Sequence, residues 1–400
     1  MNQALRIAGE VDTQRTARWP APLDATLADL YDLLFDSLSR KDQRSKAEQY
    51  VNGLMYLAGR KSMRRIASLT GDEAAERNLQ HFISKSTWDW LPVRRALGRY
   101  LARTRPADAW VVQPLSIPKA GPHSVGVDRR FVTELGRKAN VQQAYGLWLA
   151  SEQGGAPVHW KLVLPEAPAD DHDGHGGHGG GIPDRAAAEP PGRVAASLAA
   201  DVLDWNLDAR PVVLDARAVG YQHFARGVGG ALPVLARISL TARFGLSGQE
   251  LPGYGGQELT ARQILESLRS LRRPVEWTDP LTGAQRSSLV VAVPVTTGRP
   301  ERRPGARPGR PGRGQELRLL GEWRHPGQPP TEAWLTDLDN ATPGRLLRLT
   351  KSLERVGRDF DAVGAAVGLR DFSGRSYQGW HRHMTLASIA STACRLDELG

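Results

Sequence analysis

The hydrophobic pattern of this chain changes period near residue 106. Before that point apolar residues recur at helical spacing. In TLADLYDLLFDSLSR (26–40), Leu27, Leu30, Leu33, Leu34 and Leu38 share one face. AEQYVNGLMYLAG, DEAAERNLQHFIS and STWDWLPVRRALGRYLAR continue in the same manner, with Thr87 the expected N-cap of the last. After it come β-type runs. AWVVQPLSI (109–117) is expected to end at Pro118, and HSVGVDRRF (123–131), VQQAYGLWLA (141–150) and PVHWKLVLP (157–165) follow. A helical stretch (193–207) precedes ARPVVLDARAVG (209–220), whose VVL run closes on Asp215. Helices first, then strands with at least one intervening helix, imply an α+β or α/β core.

Further β-type runs (LPVLARISL, SSLVVAVPV, ELRLLGEWR, EAWLTDL) occupy 232–338. Residues 343–366 return to a helix, and MTLASIASTACRLDEL reads as a last amphipathic one. Two stretches cannot bury a core. One is ADDHDGHGGHGGGIP (169–183); the other is RPERRPGARPGRPGRG (299–314), with six arginines against one glutamate. Imidazoles of His172, His175 and His178, with Asp170, Asp171 and Asp173, could take a transition metal. The glycine spacing gives them no preformed geometry, so the segment reads as a surface loop and no cofactor is expected.

The chain has 400 residues, a net charge of +10 and a sequence pI near 10.0, with arginine far outnumbering lysine. This balance favours a polyanion, with double-stranded DNA the expected partner. Guanidinium groups suit bidentate phosphate contact at any working pH. Expected contacts are Lys61, Arg64 and Arg65 in GRKSMRRIASLTG (59–71), which suits a helix-turn-helix-like module. Arg129, Arg130, Arg137 and Lys138 flank the second strand region. Arg302, Arg303, Arg307, Arg310 and Arg313 fall in the second loop. No uncharged apolar run is long enough to span a bilayer, the first 20 residues lack a secretory core, and Cys394 is the only cysteine. No membrane association is expected, and a reducing cytoplasm, on the nucleoid, is the expected location. Homodimerisation is left open.

Four blocks resemble insertion-sequence transposases of the DDE superfamily, in that family's order. They are GRKSMRRIASLTGDEAAERNLQHFISKSTWDW, WVVQPLSIPKAGPHSVGVDRRFVTELGRKANVQQAYGLWLA, PVVLDARAVGY and VGRDFDAVGAAVGLRDFSGRSYQGWHRHMTLA. The resemblance implies an α+β fold: an RNase H-like mixed-sheet core (106–235), an N-terminal helical domain (1–105), an inserted β-rich region (236–340) and C-terminal helices (341–400). It also implies three carboxylates holding two divalent ions, usually Mg2+, which activate the nucleophile and stabilise the leaving oxygen.

This chain departs from that pattern. Where the family reads W-hydrophobic-V-D-D-T-G-F-P-K, it has Trp110, Val111, Val112, Gln113, Pro114, Leu115, Ser116, Ile117, Pro118 and Lys119. Gln113 takes the first acid position, and Asp215 retains the second. The helical pattern Y-x2-R-x3-E-x6-K falls on Thr350, Leu353, Gly357 and Gly364, so Gly357 replaces the third acid; Glu354, one turn earlier, is the nearby substitute. The resemblance with these losses implies a transposase-derived DNA-binding protein without nuclease or strand-transfer activity, such as a regulator. An active transposase using Mg2+ is the alternative. His381 and His383, two apart in GWHRH, are expected to be structural.

Overall fold

The structure, a computed structural model, describes residues 25–69, 74–132, 136–152, 154–165, 188–246, 258–297 and 316–397. The His/Gly-rich stretch, with His172, His175 and His178, and the arginine-rich stretch, with Arg302, Arg303, Arg307, Arg310 and Arg313, lie outside the described residues.

Helices α1 (Ala25–Phe35), α2 (Lys41–Tyr56), α3 (Met63–Ser68), α4 (Ala75–Ser84) and α5 (Trp90–Thr104) come first. Asp89, not Thr87, caps α5; its carboxylate accepts from Leu91 N–H at 2.9 Å. Strands β1 (Ala109–Lys119), β2 (Val127–Val132), β3 (Arg137–Ser151) and β4 (Gly154–Val163) then form an antiparallel unit in which β3 pairs with β1 on one edge and with β2 and β4 on the other. Helix α6 (Pro191–Ala200), shorter than the expected 193–207 segment, gives way to a 3-10 turn at Leu203–Trp205. It crosses over to β5 (Val212–Asp215), and α7 (Tyr221–Val228) to β6 (Val234–Ile238).

The order β4-β3-β1-β5-β6, with β1, β5 and β6 parallel, is the RNase H-like mixed core that the resemblance implied. The sheet then continues through inserted elements: β7 (Arg243–Leu246), β8 (Leu259–Thr260), α8 (Ala261–Ser267), β9 (Arg273–Thr278), β10 (Gln285–Thr296), β11 (Glu316–Trp323) and β12 (Glu332–Thr336). β12 pairs antiparallel with β6, so core and insertion form one sheet.

β1 runs through Pro118 rather than ending there. Trp110 N–H donates to Pro211 O, so even-numbered nitrogens of β1 face β5. The β1–β5 ladder stops at Val112↔Leu214, while pairing with β3 continues to Lys119↔Asn140. Pro114 and Pro118 therefore lack an N–H only on the edge where no strand remains to receive it.

Helix α9 (Pro343–Asp359) ends in a π turn at Phe360–Gly364, and α10 (Tyr377–Asp397) follows. α10 is not amphipathic: every residue from Gly379 to Ala393 is buried. Three of its hydroxyls bond back along the helix, Thr385 to His381 O, Ser388 to Met384 O and Thr392 to Ser388 O, which lets these side chains be buried. Around it pack α2, α4, α5 and β4. Arg94 of α5, fully buried, donates to Trp160 O, His381 O and Thr385 Oγ1, tying β4 and α10 to α5. Arg382 donates to Ile83 O and Trp88 O. Among the described residues, no helix is long and apolar enough to cross a membrane.

His383 bridges Tyr50 Oη and Gly368 O, and His159 meets Asp201. Burial pushes both imidazoles down to about 4, and His381 well down as well. Unfolded histidines bind protons near pH 6.5. The stability gained by keeping these rings neutral is thus full above 6.5 and lost as pH falls toward 4. The melting temperature is expected to fall across that window, less steeply in His383→Phe; a flat profile refutes the expectation.

Candidate functional site

Asp215 is the last residue of β5, and its register partner on β6 is Arg237. Val112↔Leu214 closes the β1–β5 ladder, so Gln113 and Asp215 are the next residues of two neighbouring strands and share a sheet face. Gln113 brings an amide there, without charge. Asp215 meets Arg217 two residues on: Arg217 Nε lies 2.9 and 3.0 Å from the two carboxylate oxygens, and Nη2 2.5 Å from Oδ2. Arg217 N–H also donates to Oδ1 at 3.1 Å. Burial raises the Asp215 carboxyl; the hydrogen bonds and charge of Arg217, with Arg237, outweigh it and hold the pKa below the ordinary value.

The same face carries further charge. Arg237 pairs in register with Trp334, and its Nη2 donates to Glu332 Oε1 at 2.9 Å. Glu332 is the register partner of Glu322 on β11. Arg324 reaches Glu332 (3.7 Å), Glu322 (3.7 Å) and Glu354 (2.7 Å). Glu322, wholly buried, accepts from Lys351 Nζ at 2.6 Å and from Ser288 Oγ at 2.7 Å. Asp215, Glu322, Glu332 and Glu354 thus interleave with Arg217, Arg237, Arg324 and Lys351. Four acids meet four bases, and the ensemble is neutral.

Gly357 is not brought to Gln113 and Asp215. Its neighbours on α9 anchor elsewhere: Arg355 donates to Ser151 O and Asp359 accepts from Gly155 N–H. Those contacts lie at the β3–β4 turn, beside the start of β1, where Ala109 pairs with Ala150. Gln113 lies about 13 Å further along β1, at ~3.3 Å per residue. A Cβ at Gly357 would meet nothing within 4 Å, so packing does not require glycine. Glu354 is the α9 carboxylate whose ion pairs lead, through Arg324, Glu332 and Arg237, back to the Asp215 strand.

These residues do not fit a pair of divalent cations. Such a site needs a surplus of carboxylate oxygens to offset two dications. Here Asp215 spends both oxygens on Arg217, Gln113 is neutral, and the remaining acids are matched by guanidinium or ammonium groups. Among the described residues no cluster of three His, Cys, Asp or Glu side chains is arranged to hold a metal.

The expected DNA contacts divide by placement. Lys61 is buried, not on an exposed basic side. Its stem lies against Gly368, where φ is +73° and a Cβ would meet Lys61 Cγ at 2.5 Å. Its ammonium donates to Leu57 O at the end of α2, where a helix dipole favours a cation. Arg64 and Arg65 are exposed, but Arg65 donates to Ala58 O and Arg60 O. Beyond Lys119↔Asn140, β2 and β3 continue past the end of β1 as a two-stranded ribbon. Arg129, Arg137 and Lys138 are exposed on it, while Arg130 pairs with Asp128 at 2.8 Å. Phe131, opposite Lys138, is 61% exposed.

The sequence reading missed Arg217, Arg237, Arg324, Lys351, Glu322 and Glu332. Their signal was charge inside apolar runs: Glu322 in LLGEW, Glu332 in EAWLT and Arg237 in VLARI.

In Arg217→Ala the Asp215 midpoint should rise, as expected when an adjacent guanidinium is removed. The acid-side stability loss, which comes from the gap between the depressed folded midpoint and the unfolded one, then shrinks. Carboxyl NMR titration reads this directly, and an unmoved midpoint contradicts the pairing. Lys351→Met leaves Glu322 buried without its closer cation and should cost about 3–5 kcal/mol in urea unfolding. Adding Glu322→Leu should restore most of it.

No curated protein matches the chain. The family model described as DDE superfamily endonuclease matches residues 33–291, more than half of the sequence. With the mixed-sheet core and the strand-end Asp215 in place, the chain belongs to the DDE superfamily of endonucleases.

Proposed function

We propose that this protein is a DNA-binding member of the superfamily that no longer cuts or joins DNA and works in the cytoplasm, on the nucleoid, as a regulator. The observation that carries the reading is the closure of Asp215 by Arg217 beside the uncharged Gln113. Phosphoryl transfer in this superfamily draws on metal-bound carboxylates, and electrostatic stabilisation is the main source of its rate. A carboxylate already neutralised by its own chain offers little to a metal.

Binding rests on charge. The β2–β3 ribbon offers Arg129, Arg137 and Lys138 around an exposed Phe131. Cations with a protruding apolar side chain suit a duplex, since the former meet phosphates and the latter can wedge at a base step. The arginines at 302, 303, 307, 310 and 313 add a sequence-independent backbone contact. The exposed side of α4, with Arg77, Asn78 and His81, supports a helix-turn-helix-like reading more than the buried Lys61 does.

Supercoiled plasmid incubated with Mg2+ or Mn2+ should remain intact while the protein binds duplex DNA in a salt-dependent manner. Metal-dependent nicking that disappears in Asp215→Ala overturns the reading in favour of an active transposase. Arg129→Ala with Lys138→Ala should flatten the dependence of log affinity on log salt by about two. Phe131→Ala should weaken binding without changing that slope, and Asp215→Asn should leave it nearly unchanged.

A further inference from the structure

Three blocks that carry the resemblance, distant in sequence, meet at the far end of β1. Arg60 arrives from GRKS, Lys119 from PKAG and Arg375 from GRSYQGW. They line a cavity of about 520 Å³ together with Asp371 and Ser124. Lys119 Nζ donates to Phe372 O at 2.5 Å and meets no carboxylate within ion-pair distance among the described residues. Burial and the nearby Arg60 charge push its ammonium down to about 8. Arg60 and Arg375 are exposed, and neither has a carboxylate partner among the described residues. Arg370, also on the wall, is already matched by Asp361 at 2.8 Å. Asp371 accepts from Lys61 N–H at 2.7 Å, and its single negative charge faces three cations. The cavity is therefore short of negative charge.

We propose that this cavity binds a phosphate group, held by Arg60, Lys119 and Arg375, and that the group is a backbone phosphodiester of bound DNA. Guanidinium groups fork onto phosphate oxygens, and a lysine adds a point charge. The volume is that of a small-ligand site and takes a short piece of sugar-phosphate backbone rather than one ion. An arginine-lined cleft between α9 and the start of β5 sets Asp108, Glu152, Glu276 and Asp279 against six cations, a smaller excess of positive charge.

The proposal deepens the DNA-binding reading, and its phosphate arm stands without it. The test uses the full chain and the Arg60→Gln/Arg375→Gln double variant, with melting temperature as the folding control. Anisotropy of a labelled duplex should show affinity falling about tenfold or more and the salt slope becoming shallower by about two. Inorganic phosphate and pyrophosphate are titrated calorimetrically in parallel. Loss of DNA affinity alone supports the backbone assignment. Phosphate binding lost in the variant with DNA affinity unchanged supports the pocket but overturns the DNA source in favour of a free phosphate compound. No change in either arm overturns the site. If the parent binds no duplex at all, the functional reading fails and the phosphate arm still decides the pocket.

Discussion

The electrostatic balance across one face of the sheet underlies the rest of this molecule. Asp215, Glu332, Glu322 and Glu354 come from three strands and a helix, and Arg217, Arg237, Arg324 and Lys351 interleave among them. Glu322 and Glu332, the buried members, are untenable without compensation, because low-dielectric surroundings magnify each unmet charge. The superfamily's arrangement leaves that compensation to dissolved cations. Here arginine and lysine side chains supply it permanently. The consequence is architectural as well as chemical: the same ion pairs fasten α9 to β11 and β12 to β6. These pairs hold the inserted sheet against the core.

How far this was visible in the sequence depended on range. The change of hydrophobic period at residue 106 and the strand ending in Asp215 are local features, and both correspond to elements. Arg217, two residues from Asp215, was equally local and still passed over, because basic residues after a strand are common. Arg237 and Glu332 were illegible for another reason. Their meeting depends on β12 returning to β6 across the whole insertion, and no short pattern encodes that register. The helical reading of the C-terminus was right in kind and wrong in exposure. The segment was expected to be amphipathic, yet the hydroxyls of Thr385, Ser388 and Thr392 bond back within the helix, which allows their burial. Lys61 misled similarly: its burial is set by Gly368, far along the chain. The expected stop at Pro118 failed because a proline is costly only where a partner strand waits for its N–H.

Cationic surface and neutral interior thus have separate origins. On the Asp215 face, Arg217, Arg237 and Arg324 each have a carboxylate. At the β2–β3 ribbon and the cavity beyond β1, the charge is unbalanced and turned outward. Net charge alone could not distinguish these populations; pairing does.

The burial of α10 on all sides bears on how such a chain can be made and inherited. Helices α2, α4 and α5 have their apolar faces completed by a segment that leaves the ribosome only after the entire sheet has been synthesised. Through that interval they lack their central partner, so the helical part cannot mature as an early, self-contained unit. For the same reason it is poor material for exchange between genes. A recombination event that moved α2, α4 and α5 without α10 would carry away half of an interior, which ties these distant segments into one hereditary unit.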